Sequence, residues 1–165
     1  MRYAQIRSMD TTNGEGIGIS LFVQGCEFMC KNCFNRSTWD FNGGKEWTQE
    51  IEDMFIELID KPYISRVSIL GGEPLHPNNI NDVTALAKKV KETYPDKKIW
   101  IWSGYLFDRY IFDKEIIKYA DVVVDGRYEE DKQDFRLQFK GSSNQRIWKK
   151  INGEWEEEKD EQISN

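Results

Sequence analysis

Three cysteines in one short segment are the residues of this sequence whose types and spacing most clearly indicate chemistry. They follow the pattern Cys26-x3-Cys30-x2-Cys33, and the chain contains no other cysteine. Thiolates at such spacings can point at one centre from a tight loop, as the ligands of a metal site do. An odd number of cysteines argues against a disulfide framework. The segment therefore predicts metal binding or thiol chemistry.

Three kinds of thiol site remain open at this point. A structural zinc site needs four ligands, and His76, the only histidine, is the candidate fourth ligand. A thiol exchange pair at Cys30 and Cys33 is a second alternative, although thioredoxin-like surroundings are missing. An iron–sulfur cluster fits the pattern better. A four-iron cluster usually takes four cysteines, so three cysteines leave one iron open to bind a small molecule and pass it an electron.

Strands and helices alternate along the chain. Apolar runs rich in β-branched residues predict strands over residues 17–23, 66–70, 98–102, 120–124 and 145–148. Apolar residues at helical spacing predict a helix that begins after Thr48 and ends before Pro62, a helix over residues 79–94, and a short helix over residues 114–119. This alternation predicts an α/β fold with a mostly parallel sheet and crossover helices.

The reactive groups of such sheets lie in the loops that follow the carboxyl ends of the strands. Here these loops are residues 24–35, 71–77, 103–105 and 125–128. We therefore expect the cysteines and the two glycine-bearing turns to meet at one end of the sheet.

The length and composition fit one domain. The chain has 165 residues, of which 39% are hydrophobic, and a formal net charge of -6. Residues 151–165 hold six acids and one lysine, so we expect a single domain over residues 1–152 and a solvated acidic tail over residues 153–165. The nearly neutral body has no basic stripe, which argues against direct nucleic-acid binding. Without a signal peptide or an apolar run of about 20 residues, we expect a cytoplasmic protein that does not bind membranes.

The cysteine pattern resembles the cluster motif of radical S-adenosylmethionine enzymes. A second motif supports the resemblance, because Gly71-Gly72-Glu73-Pro74 follows the predicted strand at residues 66–70 and is similar to the Gly-Gly-Glu turn of that superfamily. Paired glycines let a ligand approach the backbone. The resemblance implies that this turn, with the acid of Glu73, holds the amino group of the methionyl part of S-adenosylmethionine.

Further segments narrow the resemblance to the family of activating proteins of anaerobic ribonucleoside-triphosphate reductase. They are spread over about residues 13–148 and include Pro74-Leu75-His76-Pro77, Trp102-Ser103-Gly104-Tyr105 and Val124-Asp125-Gly126-Arg127-Tyr128. This resemblance implies a partial, TIM-like barrel of the radical S-adenosylmethionine type. Asn32 departs from the wider superfamily, where many members have an aromatic residue before the last cysteine.

The resemblance also implies the cofactors, partners and site residues. Cys26, Cys30 and Cys33 would hold a [4Fe-4S] cluster whose open iron binds S-adenosylmethionine. The expected partners are the large subunit of anaerobic ribonucleoside-triphosphate reductase, which would receive a glycyl radical, and an electron donor such as a flavodoxin. The residues expected to bind the cofactor are Asn32, Cys33 and Phe34 through backbone contacts with adenine, Gly71, Gly72 and Glu73 at the amino group, and Ser103 and Asp125 at the ribose or carboxylate.

Two other functions remain alternatives. The chain could activate another glycyl-radical enzyme, which radical formation on different acceptors would distinguish. It could also be a non-catalytic zinc or iron–sulfur binding module, which would have no S-adenosylmethionine turnover to lose when Glu73 is replaced.

Overall fold

A computed structural model of the chain describes residues 1–31, 33 and 35–159. Among these residues lies one eight-stranded sheet, with the strands in the order β3-β1-β2-β4-β5-β6-β7-β8. In chain order the strands are β1 (Arg2–Asp10), β2 (Gly18–Val23), β3 (Lys45–Glu46), β4 (Arg66–Gly71), β5 (Lys98–Ser103), β6 (Val122–Asp125), β7 (Arg146–Ile151) and β8 (Glu154–Glu158). Five of these, β2, β4, β5, β6 and β7, match strands that the apolar runs predict.

Two α-helices connect the central strands. Helix α1 (Gln49–Ile59) is capped by Thr48, whose side chain accepts a hydrogen bond from the backbone N–H of Ile51 at 3.2 Å. The position of Thr48 before apolar residues at helical spacing predicts this cap. Helix α2 (Ile80–Thr93) ends just before Pro95. Shorter helical turns lie at Arg36–Thr38, Phe107–Ile111, Glu115–Lys118 and Glu130–Lys132. No helix in the described part of the chain is long and apolar enough to cross a membrane.

The sheet is mixed, so the α/β class is confirmed but the expectation of a mostly parallel sheet is wrong. The pairs β2–β4, β4–β5 and β5–β6 are parallel. The pairs β1–β2, β1–β3, β6–β7 and β7–β8 are antiparallel. The edge strands β1, β3 and β8 escape a search for apolar runs because few of their residues are buried.

The acidic segment near the C-terminus also differs from the expectation of a solvated tail. Residues Glu154–Glu158 form β8 and pair with the basic strand β7. Lys149 Nζ lies 2.9 Å from Glu158 Oε1, and the ammonium of Lys150 lies over the ring of Trp155. Opposite charges on neighbouring strands stabilise such a pairing. Residues 160–165 of the predicted tail lie outside the described residues.

The two faces of the sheet are covered differently. One face carries apolar side chains, among them Leu21, Ile69 and Ile101, which share one core with α1 and α2. The other face carries Ser20, Phe22, Ser68, Leu70, Trp100 and Trp102. Loops cover it: Trp102 Nε1 donates a hydrogen bond to the carbonyl of Phe139 at 2.8 Å. We call it the loop-covered face, and it leaves room for a cavity.

Candidate functional site

A cavity of about 480 Å³ lies on the loop-covered face, at the carboxyl ends of the parallel strands. This volume is in the range of pockets that bind small molecules. Phe22, Leu70 and Trp102 contribute an apolar wall. The cavity is also lined by Cys26, Cys30, Cys33, Gly71, Gly72, Glu73 and Ser103. The structure thus brings together, at one end of the sheet, most of the residues that the sequence singles out.

Backbone hydrogen bonds fix the loop that carries the cysteines. The N–H of Gly25 donates to the carbonyl of Thr38 at 2.6 Å, and the N–H of Cys26 donates to the carbonyl of Trp39 at 3.1 Å. Within the loop, the N–H of Cys33 donates to the carbonyl of Cys30 at 3.1 Å. The two ends of the loop are therefore held together, and its three cysteines face one cavity.

The surroundings of Cys26 and Cys30 disfavour the thiolate form of these two side chains. Burial raises the pKa of Cys26 to about 11, and the negative charges of Glu73 and of the other cysteines raise it further. Burial likewise raises the pKa of Cys30, and a negative charge on Cys33 adds to the effect. Thiolates that disfavour one another in this way need a cationic centre between them. The donor set of soft sulfur ligands suits an iron–sulfur cluster.

A single metal ion fits less well. Among residues 1–31, 33 and 35–159, no three His, Cys, Asp or Glu side chains are arranged to hold one ion. His76, the candidate fourth zinc ligand, has other partners: Nδ1 accepts a hydrogen bond from the N–H of Asn78, and Nε2 lies 3.0 Å from Glu27 Oε1. A cluster is wider than one ion, so its ligands need not converge as closely. The structure therefore favours the cluster over the Cys3His zinc site.

Gly71 and Gly72 let two turns of the protein approach each other. A Cβ atom on Gly71 would lie 2.5 Å from the carbonyl oxygen of Val23, and one on Gly72 would lie 2.5 Å from that of Gly25. Gly71 also has a φ of 125°, which side chains disfavour. The glycines thus seat the turn after β4 against the start of the cysteine loop. The prediction that a ligand also approaches this backbone stays a prediction.

The carboxylate of Glu73 is buried and already engaged by three donors. Oε1 accepts a hydrogen bond from the N–H of Gly104 at 2.6 Å. Oε2 accepts from the N–H of Leu75 at 2.9 Å and from Ser103 Oγ at 2.8 Å. Burial raises the pKa of Glu73 to about 7, and these hydrogen bonds lower it by less. The side chain therefore links the turns after β4 and β5, and its predicted contact with an ammonium group stays a prediction.

Ser103 and Asp125 have different places. Ser103 lines the cavity, and its hydroxyl also accepts a hydrogen bond from the N–H of Tyr105 at 3.1 Å. Asp125 lies outside the cavity lining. Its carboxylate accepts hydrogen bonds from the N–H of Phe107 at 2.7 Å and from Arg146 Nη2 at 2.7 Å. These bonds tie β6 to β7 and to the turn after β5, so Asp125 has a structural role here and its predicted cofactor contact is untested.

Two of the predicted cofactor-binding residues, Asn32 and Phe34, lie outside the described residues. Cys33, between them, lines the cavity, and its sulfur accepts a hydrogen bond from the N–H of Asn35 at 3.4 Å. The predicted contacts of this segment with adenine stay a prediction.

The sequence analysis missed an aromatic cover beside the cysteines. The guanidinium of Arg127 lies 4.4 Å from the ring centre of Phe28, and Phe28 meets Tyr105 edge to face at 4.9 Å. The Phe28 ring also occupies the space beside Gly104 that a side chain would need. Thr12 and Asn13, at another edge of the cavity, were missed as well. The glycines that follow them, Gly14 and Gly16, were the available signal.

Comparison with known proteins gives the family of the chain. A family model described as a 4Fe-4S single cluster domain matches residues 12–148. The anaerobic ribonucleoside-triphosphate reductase-activating protein of Enterobacteria phage T4 is 39% identical over 155 residues, 94% of this chain and 98% of its own.

The proteins of the same name from Vibrio cholerae and Escherichia coli K12 are 41% and 38% identical. The alignments cover 89% and 88% of this chain, and 97% and 96% of the two relatives. Such identity over nearly the whole of both chains, together with the match to the cluster domain, shows that the chain belongs to the family of anaerobic ribonucleoside-triphosphate reductase-activating proteins.

Proposed function

We propose that this chain is an activating enzyme that reductively cleaves S-adenosylmethionine at a [4Fe-4S] cluster and generates a glycyl radical on anaerobic ribonucleoside-triphosphate reductase. The observation that carries the proposal is the cavity in which all three cysteines and the Gly71-Gly72-Glu73 turn meet. Relatives of similar length are named as activating proteins of that reductase. A module that only bound a metal would have no need of such a cavity beside its ligands.

When bound, the reduced cluster would supply one electron to the sulfonium of S-adenosylmethionine, whose carbon–sulfur bond breaks to give methionine and the 5′-deoxyadenosyl radical that takes a hydrogen atom from glycine. Cys26, Cys30 and Cys33 would be the protein's ligands to three of the irons. The fourth iron would be left to the cofactor, since the chain contains no fourth cysteine.

The chain's own residues would bind and orient the cofactor and exclude water. The N–H groups of Gly72 and Glu73 donate to the carbonyls of Val23 and Gly25, which holds the turn against the start of the cysteine loop. Backbone carbonyls there would accept hydrogen bonds from an ammonium group. Glu73 and Ser103 hold the turns after β4 and β5 at a fixed distance. The apolar wall of Phe22, Leu70 and Trp102 would keep water from a reactive radical.

The proposal also includes the type of barrel, the bounds of the domain and the electron donor. Four adjacent parallel strands, β2, β4, β5 and β6, with helices on one face and a cavity on the other, support a partial barrel of the radical S-adenosylmethionine type. We place this domain at residues 1–152, with β8 and the acidic residues after it as an extension. A small one-electron carrier such as a flavodoxin would supply the electron.

The test is radical formation on the reductase. The anaerobically reconstituted chain is incubated with reductant, S-adenosylmethionine and reductase whose glycines carry deuterium. We expect a glycyl radical signal, methionine release, and deuterium in the 5′-deoxyadenosine. Methionine release without any radical on the reductase, but with one on another glycyl-radical enzyme, would support the alternative activase. No methionine release at all would contradict the proposal and favour a metal-binding module.

A further inference from the structure

A buried guanidinium on the loop-covered face has no part in the function proposed above. Arg66 opens β4, and only 1% of its surface is exposed. Its Nε donates to the carbonyl of Glu15 at 3.0 Å, and Nη2 donates to the carbonyl of Asp10 at 2.7 Å. Its Nη1 donates to Ser68 Oγ at 2.7 Å. Two of these three hydrogen bonds therefore hold the segment from Asp10 to Glu15, which leads from β1 to β2, and only the bond to Ser68 stays within β4.

Asp10 organises the same segment from its other side. Its carboxylate accepts hydrogen bonds from the N–H groups of Thr12 and Asn13 at 2.9 and 3.3 Å, and from Ser20 Oγ. Burial alone would raise the pKa of Asp10, but the hydrogen bonds from Ser20, Thr12 and Asn13 and the charge of Arg66 together lower it. The carboxylate is therefore ionised opposite Arg66, with Nη1 and Oδ2 at 3.8 Å.

The segment wraps closely around the arginine. A Cβ atom on Gly14 would lie 2.6 Å from Arg66 Cδ, and one on Gly18 would lie 2.5 Å from Arg66 Cγ. Ser68 Oγ adds a hydrogen bond to the carbonyl of Asn13. Arg66, Asp10 and Ser68 therefore determine where Thr12 and Asn13 lie, and both of these line the cavity.

Thr12 and Asn13, which we call the cavity edge, lie away from the predicted cofactor contacts; Thr12 is exposed and Asn13 is half-buried. Asn13 is bonded to Ser68, and Gly71 follows Ser68 by three residues, about 10 Å along an extended strand. The Nδ2 of Asn13 donates a hydrogen bond to Asp10 Oδ2 at 2.7 Å. The Oδ1 of Asn13 therefore points away from Asp10 and can accept a hydrogen bond from another group. Within the described residues, neither this Oδ1 nor Thr12 Oγ1 has a hydrogen-bond partner. A hydroxyl and an amide oxygen suit the N–H and C=O groups of an extended peptide.

We infer that Arg66 is a positioning residue, which holds the cavity edge of Thr12 and Asn13 in place to bind the glycine-bearing segment of the partner reductase. This inference rests on the function proposed above and adds to it a contact on the partner's side of the cavity. Arg66 itself touches neither partner nor cofactor. It acts through the position of the cavity edge.

The test compares Arg66→Lys and Ser68→Ala with Arg109→Lys, an exposed arginine outside the cavity. A lysine keeps the charge but cannot reproduce the several hydrogen bonds of a guanidinium. In both Arg66→Lys and Ser68→Ala we expect faster hydrogen exchange at the amides of Thr12 and Asn13. We also expect the KM for the reductase in radical formation to rise about tenfold, with iron content, S-adenosylmethionine affinity and reductase-free cleavage unchanged. The control should match the wild-type protein throughout.

If Arg66 and Ser68 only stabilised the fold, the variants would impair radical formation on the reductase and reductase-free cleavage of S-adenosylmethionine alike. The inference is overturned if the KM for the reductase is unchanged in the variants, if the affinity for S-adenosylmethionine falls instead, or if the amides of Thr12 and Asn13 exchange as in wild-type protein. Should Arg66→Lys fail to fold, Ser68→Ala decides by the same criteria. A wild-type protein that forms no radical on the reductase would refute the proposed function and this inference with it, whereas an active wild type with unaffected variants refutes the inference alone.

Discussion

Replacing Ser103 by alanine should destabilise the protein before any cofactor binds. The Ser103 hydroxyl donates to Glu73 Oε2 at 2.8 Å and accepts from the N–H of Tyr105 at 3.1 Å, and the residue is buried. Alanine removes both hydrogen bonds and leaves the Tyr105 N–H without its partner. An unsatisfied buried polar group costs about 1–3 kcal/mol, so we expect the free energy of unfolding to fall by about 2 kcal/mol.

The assay is thermal unfolding of the cofactor-free protein, followed by circular dichroism. For a chain of this length, about 2 kcal/mol corresponds to a fall in Tm of about 4–8 °C. Ser143→Ala is the matched control, because Ser143 is exposed and, among the residues that the structure describes, only its backbone forms a hydrogen bond. The control should change the free energy of unfolding by less than about 0.5 kcal/mol.

The result also separates two roles for Ser103. If the hydroxyl served only to contact the ribose or carboxylate of a cofactor, Ser103→Ala would lower cofactor affinity and leave the Tm of the free protein equal to that of Ser143→Ala. That outcome would refute the reasoning that Ser103 and Glu73 link the turns after β4 and β5.

Three further predictions follow from the site. Cys30→Ala should lose the cluster and S-adenosylmethionine cleavage together, as measured by iron content and methionine release, and a variant that kept both would contradict the cluster assignment. Glu73→Gln should cut methionine release by about tenfold or more at unchanged iron content. In either orientation of the new side chain, its amide NH2 would face a backbone N–H, that of Gly104 or that of Leu75. Full activity of this variant would show that the carboxylate is dispensable. Because burial raises the pKa of Glu73 to about 7 from an ordinary 4.5, its contribution to stability is complete below pH 4.5 and is lost as the pH rises through 7. Urea denaturation should therefore show the wild-type protein losing stability relative to Glu73→Gln between pH 5 and 8, and a constant difference would exclude the raised pKa.

The central strands and helices could be predicted from the sequence because burial on both sides leaves a local signal. Strand β2 is buried along its whole length, and α1 combines a capping threonine with an apolar stripe. Strand β1 has no such run, since only two of its nine residues are buried, and its pairing with β2 has no local signal. The sequence predicts a tail where β8 lies, because the glutamates of β8 are balanced only by the lysines of β7 across the sheet.

In the site, too, features with a local signal could be predicted from the sequence and features without one could not. The cysteine spacing and the position of the Gly71-Gly72-Glu73 turn after a strand were enough to place both in one cavity. The partners of buried side chains could not be predicted, because they depend on contacts between separate loops. Glu73 is bonded to Gly104, and Asp125 to Arg146, and neither contact has a local signal.

Electron paramagnetic resonance of the anaerobically reconstituted, chemically reduced protein, recorded with and without S-adenosylmethionine, tests the central claim most directly. Three cysteine ligands leave one iron open, so we predict a reduced [4Fe-4S] signal that changes shape when S-adenosylmethionine is added. A protein that assembles no cluster, or a cluster whose spectrum is the same with and without S-adenosylmethionine, would contradict the account.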